Sequence, residues 1–323
     1  MQINKNKLYL YLSLILFRGL LELSYTLFVV KEYQYAGFFL NFSIEQYILS
    51  WFLYFISFVF AKASIKKVSD FFLIMNICAI IAPITILYGY NFDYPFLPVL
   101  STILFFLIIY LILKIKIPIK SQFYQIKQGK KIVVFLSSFF VILLISRAAI
   151  SNVQINFDFK KVYDLRAINR KILSSGVFAY LTTWTYKIFN PILIILSLLR
   201  KKYFLSSLFI IIQIYFFAIT THKTVLVFPL IPFFLYFFLS KTKKVYSLIM
   251  LSNVAFCCTL FSYFVLDDVW LSSLFSRRAF FVPAQLTFAY FDFFSKHPKV
   301  YWSNSVLKYF LEYSYNISLT CFI

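Results

Sequence analysis

The chain has 323 residues, of which 62% are hydrophobic and 23% aromatic, while only 13% are charged. A soluble domain usually carries about twice that charged fraction, so the composition excludes an ordinary water-soluble fold. The formal net charge of +21 comes largely from short lysine clusters at the ends of apolar runs. Because no basic stripe follows a polar surface, the charge does not indicate a nucleic-acid-binding protein.

Apolar runs of about 20 residues recur along the chain, which is the length that a helix needs to cross a ~30 Å hydrocarbon core. The first run follows Lys5 and Lys7 and is too long for a cleaved signal peptide. The pattern therefore predicts an all-α polytopic membrane protein with about nine transmembrane helices. The predicted spans are residues 8–30, 46–61, 70–90, 95–113, 132–150, 180–199, 203–219, 224–240 and 245–266.

Basic residues cluster in alternate loops between these spans, and such loops lie on the cytoplasmic side of membrane proteins. The N-terminus is therefore predicted to be cytoplasmic, and nine crossings place everything after residue 266 outside. The residues that define this orientation are Lys5, Lys7, Lys62, Lys66, Lys67, Lys114, Lys116, Lys120, Lys127, Lys130, Lys131, Arg200, Lys201, Lys202, Lys241, Lys243 and Lys244.

Two outer segments are basic, which the orientation rule disfavours for short outer loops. We predict a bundle over residues 1–266 with an outer loop at 151–175, then an extracytoplasmic segment, 267–323, that ends with the start of a further span. Their charges indicate an anionic ligand held at the outer membrane surface. The basic residues are Lys160, Lys161, Arg166, Arg170 and Lys171 in the loop, and Arg277, Arg278, Lys296, Lys299 and Lys308 in the last segment.

Three arginines are the strongest candidates for binding that ligand: Arg166, Arg277 and Arg278. A guanidinium group is a planar, permanently charged fork that matches phosphate oxygens. His222 and Lys223 lie in the very short outer turn TTHK, which is either solvated or in contact with an anionic ligand.

Other charged residues leave two interpretations open. Asp292 and His297 follow the arginine pair and could perform acid–base chemistry or bind sugar, which spacing alone does not decide. Arg18 and Glu22 lie four residues apart on the first span, where a structural ion pair is favoured over a catalytic one. Scattered glycines and cysteines without ligand spacing predict no cofactor and no metal site.

Four segments resemble the bacterial oligosaccharide repeat-unit polymerases, also called O-antigen or Wzy-type polymerases. The segments are VYDLR at 162–166, GVFAYLTTWTYKIFNP at 176–191, THKTVLVFPL at 221–230 and RRAFFVPAQLTFAYFDFFSKHP at 277–298. The resemblance covers about half of the chain, from Lys160 onward. Each motif is short, so their order and their membrane topology carry more of the resemblance than any one of them.

The resemblance implies a glycosyltransferase of the C-type membrane architecture in the bacterial inner membrane. Such enzymes transfer a growing glycan from undecaprenyl diphosphate to the next lipid-linked repeat unit, making O-antigen or capsule at the outer face. Arg166 matches the arginine of the family's first outer loop, and Arg278, with Arg277 beside it, matches that of the second. Implied partners are the lipid-linked oligosaccharide, membrane lipid, a chain-length regulator and a flippase.

Alternative functions stay open at this level. They are an O-antigen ligase, a lipid-linked oligosaccharide flippase, and an inactive truncated polymerase. Family members usually continue past the arginine motif into further membrane helices, whereas this sequence stops at Ile323. The resemblance therefore predicts a polymerase truncated at its C-terminus, and whether this shorter chain is active stays open.

Overall fold

A computed structural model of the chain describes residues 5–115, 127–151, 153–155, 169, 173, 177–222, 224–242, 244–303 and 310–315. Within these ranges the regular elements are helices, accompanied by two isolated bridges and no strand. Seven helices in the described ranges are long and apolar enough to cross a membrane. The prediction of an all-helical, multi-pass membrane protein is confirmed at this level.

Each predicted span lies on a helix. Two of these helices have apolar parts, Ile44–Phe60 and Thr224–Phe238, that are shorter than those of the other seven, so the count of nine crossings stays a prediction. Helices α1 to α9 are Lys5–Ala36, Ile44–Phe60, Val68–Tyr90, Phe96–Lys114, Gly129–Ile150, Phe178–Leu199, Tyr203–Thr220, Thr224–Lys241 and Val245–Leu266. A tenth helix, α10, follows as three consecutive segments, Val269–Ser272, Ser273–Phe281 and Val282–Lys296.

The chain forms two compact units. Unit 1 comprises Met1–Pro118 and Lys243–Ile323, and unit 2 comprises Ile119–Thr242. Helices α1–α4, α9 and α10 therefore belong to unit 1, and α5–α8 to unit 2. The predicted division at residue 266 concerns the side of the membrane and stays a prediction.

In unit 1, α1 packs along α9 and α2 packs along α3. Its core is rich in fully buried aromatic rings, among them Phe17 and Phe256, which meet edge-to-face at 5.4 Å. Short backbone pairings hold the two ends of the unit: Asn41 pairs with Asn91 at one end, and Ser64 pairs with Lys244 at the other. Helix α3 runs between these two ends.

In unit 2, a buried side chain replaces backbone hydrogen bonds that prolines remove. Gln213 of α7 is fully buried, and its Nε2 donates to Tyr186 O at 2.9 Å and to Val225 O at 2.8 Å. Pro229 has no N–H to pair with Val225 O four residues before it, and Pro191 cannot pair with Tyr186 O in the local five-residue register. The Gln213 amide therefore satisfies two carbonyls that would otherwise be unpaired in an apolar interior.

Four helices in the described ranges contain π-helical segments, and three of these segments end two residues before a proline. The segments are Tyr25–Val29, Ile77–Ile81, Thr185–Phe189 and Ser273–Phe281, and the prolines are Pro83, Pro191 and Pro283. A proline ring clashes with the carbonyl four residues earlier, and a wider turn moves that carbonyl away. The prolines thus account for the local widening without a break in these helices.

Candidate functional site

Helix α10 carries the adjacent arginines across the core of unit 1. Its N-terminus is capped by Asp268, whose carboxylate accepts hydrogen bonds from the N–H groups of Trp270 and Leu271. Ser272 Oγ then donates to Thr259 O of α9 at 2.7 Å. The start of α10 is therefore fixed against α9. Residues 269–296, which the charge pattern predicted to lie outside, are helical.

The second half of α10 docks on the loops next to α1 and α3. Gln285 Nε2 donates to Ala36 O at 2.9 Å, and Phe288 stacks on Tyr94 with ring centroids 4.2 Å apart. Gly37 has a positive φ of 85°, and a Cβ added there would lie 2.7 Å from Gln285 Nε2. Burial raises the pKa of the Tyr94 phenol, so this contact stays uncharged at neutral pH.

Between these two anchors, Arg277 and Arg278 lie in the nine-residue π-helical segment Ser273–Phe281. The Arg277 guanidinium lies 4.1 Å from the centre of the Tyr33 ring, a cation–π contact with the end of α1. Arg277 is half-buried, and its buried Nε finds no hydrogen-bond partner in the described part of the chain, whereas Arg278 is exposed. Neither arginine forms an ion pair within the described ranges.

The neighbouring acid, Glu32, is engaged elsewhere. Glu32 accepts a hydrogen bond from the Tyr263 hydroxyl at 2.7 Å, and Lys31 Nζ lies 5.9 Å from the Tyr263 ring. Phe28 contacts the rings of both Tyr33 and Tyr263 and joins the two contacts. We call the following residues the arginine–aromatic cluster: Lys31, Tyr33, Tyr263, Arg277 and Arg278.

This cluster has the chemistry of an anion site. It combines three positive side chains with tyrosine rings, against two carboxylates near Tyr263, Glu32 and Asp267, of which Glu32 already accepts the Tyr263 hydroxyl. A buried guanidinium N–H without an acceptor is unfavourable unless a ligand supplies one. Arg277 is therefore the arginine whose N–H is positioned to donate to a bound anion, although the resemblance pointed first to Arg278. Sequence reasoning missed Lys31 and Tyr33, whose signal was the polar stretch KEYQY at the end of the first apolar run.

The other predicted site residues are placed as follows. Arg166 and Lys223 lie outside the described residues. Asp292 forms an exposed ion pair with Lys296 at 2.7 Å, and His297 stacks on Phe293 at 4.3 Å. Fifteen residues of helix separate Asp292 from Arg277, which is roughly 20 Å along the axis. The acid–base role predicted for Asp292 and His297 stays a prediction. At this spacing, neither residue would contact a small group bound at Arg277.

His222 lies in unit 2, at a small polar cavity of about 40 Å³. Asn169 donates to Gln154 O and Ile219 O at 2.9 Å each, and its buried Oδ1 has no hydrogen-bond partner. The cavity has room for about one to a few waters. The residues that line it are Asn169, Leu173, Thr182, Thr183, Tyr186, Thr220 and His222.

The ion pair of Arg18 and Glu22 is structural in character. Arg18 is fully buried and its Nε donates to Glu22 Oε1 at 2.9 Å. Its Nη1 and Nη2 donate to Ser50 O at 2.8 Å and to Ser50 Oγ at 2.7 Å, and Nη1 also donates to Thr85 Oγ1 at 3.1 Å. The guanidinium also lies 4.3 Å from the Trp51 ring. With these partners the group ties α1, α2 and α3 together and is shielded from any ligand.

Comparisons with known proteins add no relative: no protein-family model, no curated protein and no solved structure matches the chain.

Proposed function

We propose that this chain is a membrane glycosyltransferase that polymerises undecaprenyl-diphosphate-linked oligosaccharide units into surface polysaccharide. In this proposal it crosses the bacterial inner membrane nine times with a cytoplasmic N-terminus, and α10 lies at the outer face. The arginine–aromatic cluster then faces the leaflet where lipid-linked units are joined. The resemblance of four segments to repeat-unit polymerases and the alternation of lysine-rich loops support this assignment.

The observation that carries the proposal is the environment of Arg277. Its guanidinium is held in place by the Tyr33 ring, while its buried Nε–H has no acceptor among the residues that the structure describes. Diphosphate oxygens supply such acceptors, and arginine binds them through charge-assisted hydrogen bonds. Arg278, the next residue, is exposed and adds a second positive charge to the same segment of α10.

The reaction places the largest change of charge on the diphosphate. The bond between the anomeric carbon of the growing glycan and a diphosphate oxygen breaks, and that oxygen keeps the electron pair. A hydroxyl oxygen of the incoming unit forms the new bond to the same carbon, and its proton is released. Guanidinium groups positioned beforehand stabilise the added negative charge on the leaving diphosphate.

The test is complementation of a strain from which the gene has been deleted. Wild-type protein should restore long surface polysaccharide, and Arg277→Ala should leave mainly single repeat units. Loss of one such preorganised donor lowers a rate by ~10²–10³. Arg277→Lys should restore chains only in part, because an ammonium group cannot reproduce the fork.

The matched control is Lys296→Ala, which removes a positive charge from an exposed ion pair on the same helix. It should leave polymer length unchanged, since exposed pairs contribute little. A deletion strain that accumulates long but unattached polymer would indicate a ligase. Normal chain-length ladders from Arg277→Ala, Arg278→Ala and their double variant would exclude the assignment.

A further inference from the structure

A charged cavity lies in unit 1 where α3 begins and α4 ends. Its volume is about 110 Å³. A single water needs only ~10–15 Å³ of cavity volume, so the cavity has room for a group of several non-hydrogen atoms. Its lining residues are Lys62, Lys67, Ser69, Leu73, Tyr110, Leu113 and Lys114.

The positive charge of this cavity is only partly balanced. The buried Asp70 carboxylate accepts from Lys62 Nζ at 2.6 Å and from the backbone N–H groups of Lys66 and Lys67 at 3.2 and 3.0 Å. Its oxygens are thereby committed to Lys62 and to the start of α3. The ammonium group of Lys67 forms no ion pair in the described part of the chain.

Lys114 adds a further uncompensated charge. Its Nζ lies 4.5 Å from the centre of the Tyr110 ring, a contact that holds the ammonium group at the cavity without neutralising it. With three lysines around it and one carboxylate beside it, the cavity is arranged for an anion.

The apolar part of the cavity indicates where that anion comes from. Leu113 on its rim is 49% exposed, and α4 carries further exposed apolar side chains on the part of its surface that turns away from the cavity. Such a surface suits acyl chains, while the lysines suit a phosphate. These further exposed side chains are Leu104, Phe105, Ile108, Leu111 and Ile112.

We infer that this cavity binds a phosphate group, and that its occupant is the headgroup of an anionic phospholipid seated between α3 and α4. Basic pockets between membrane helices bind anionic headgroups in this way. The inference stands apart from the proposed polymerase activity. The site lies at the end of α3 opposite the Asn41–Asn91 pairing and uses none of the residues of the arginine–aromatic cluster.

The test titrates the purified, delipidated full chain with phosphatidylglycerol and counts bound lipids by native mass spectrometry. The double variant Lys67→Ala/Lys114→Ala should raise the dissociation constant of the tightest lipid about 30-fold, from the contribution typical of two lysines near a phosphate. Lys67→Arg/Lys114→Arg should retain binding. Ser69→Phe, which fills the cavity without changing its charge, should abolish it.

The control double variant Lys5→Ala/Lys66→Ala removes the same charge from α1 and from the α2–α3 loop, outside the cavity lining, and should bind like wild type. Arg277→Ala should also bind phosphatidylglycerol normally. If excess inorganic phosphate binds with the same dependence on Lys67 and Lys114 and displaces the lipid, the site is a phosphate site for a soluble ligand. If both double variants weaken lipid binding equally, or if neither weakens it, the inference is overturned.

Discussion

Gln213→Leu is expected to destabilise unit 2 because it removes the hydrogen bonds to two backbone carbonyls, those of Tyr186 and Val225. The amide donates to Tyr186 O and Val225 O and accepts a hydrogen bond from Asn190 Nδ2 at 2.6 Å. Leucine fills similar space but leaves the two carbonyls without partners, and Asn190 Nδ2 keeps only its hydrogen bond to Phe209 O. An unsatisfied buried group costs roughly 1–3 kcal/mol, and hydrogen bonds inside membranes lie at the lower end. The expected loss is therefore about 2–4 kcal/mol in the free energy of unfolding.

The assay is a titration of the purified protein with a denaturing detergent, read by circular dichroism. The sharp comparison uses the background Pro191→Ala/Pro229→Ala, in which the backbone again offers N–H groups to both carbonyls. In that background Gln213→Leu should lower the free energy of unfolding by about half as much or less, because the backbone can then replace two of its three hydrogen bonds. An equal loss in both backgrounds would refute the explanation that Gln213 substitutes for the prolines' missing N–H groups.

Two further predictions concern packing and topology. Gly89→Ala should lower the unfolding midpoint, because the added Cβ would lie 2.5 Å from Ser50 Oγ, which accepts a hydrogen bond from the buried Arg18. The control Gly19→Ala, whose Cβ would have nothing within 4 Å, should be neutral or stabilising by about 0.5–1 kcal/mol. In a chain whose native cysteines are replaced by serine, a cysteine at Lys296 should react with an impermeant thiol reagent in intact spheroplasts, and one at Lys66 only after lysis. Labelling of both only after lysis would reverse the orientation assigned to α10.

Hydrophobic length predicted the helices well, because a membrane-crossing helix must be apolar along nearly its whole length. The prediction failed to describe residues 269–296 as a helix, since their arginines and their single proline lower the apolar signal. The π-helical segments were also not predicted, although the prolines behind three of them were visible in the sequence. Their register depends on how neighbouring helices satisfy the freed carbonyls, as Gln213 does for Tyr186.

The candidate site was predicted only in part. The adjacent arginines were identified from charge in a segment predicted to lie outside, but which of them is shielded depends on the turn of α10 against α1. Tyr33 and Lys31 are distant in sequence from Arg277, and no spacing rule connects them. The cavity at Lys67 and Lys114 was hidden for a different reason: its lysines also fit the orientation rule, which explains their presence without any ligand.

The central claim, that the arginine–aromatic cluster holds a lipid diphosphate, can be tested without knowing the sugar. Binding of undecaprenyl diphosphate to the purified full chain would be measured for wild type, Arg277→Ala and Lys296→Ala, with undecaprenol as the ligand that lacks phosphate. Loss of one charged hydrogen-bond donor weakens binding by roughly 10- to 100-fold. The account predicts that loss for Arg277→Ala alone and weak binding of undecaprenol. Equal affinity of wild type and Arg277→Ala for undecaprenyl diphosphate would contradict it.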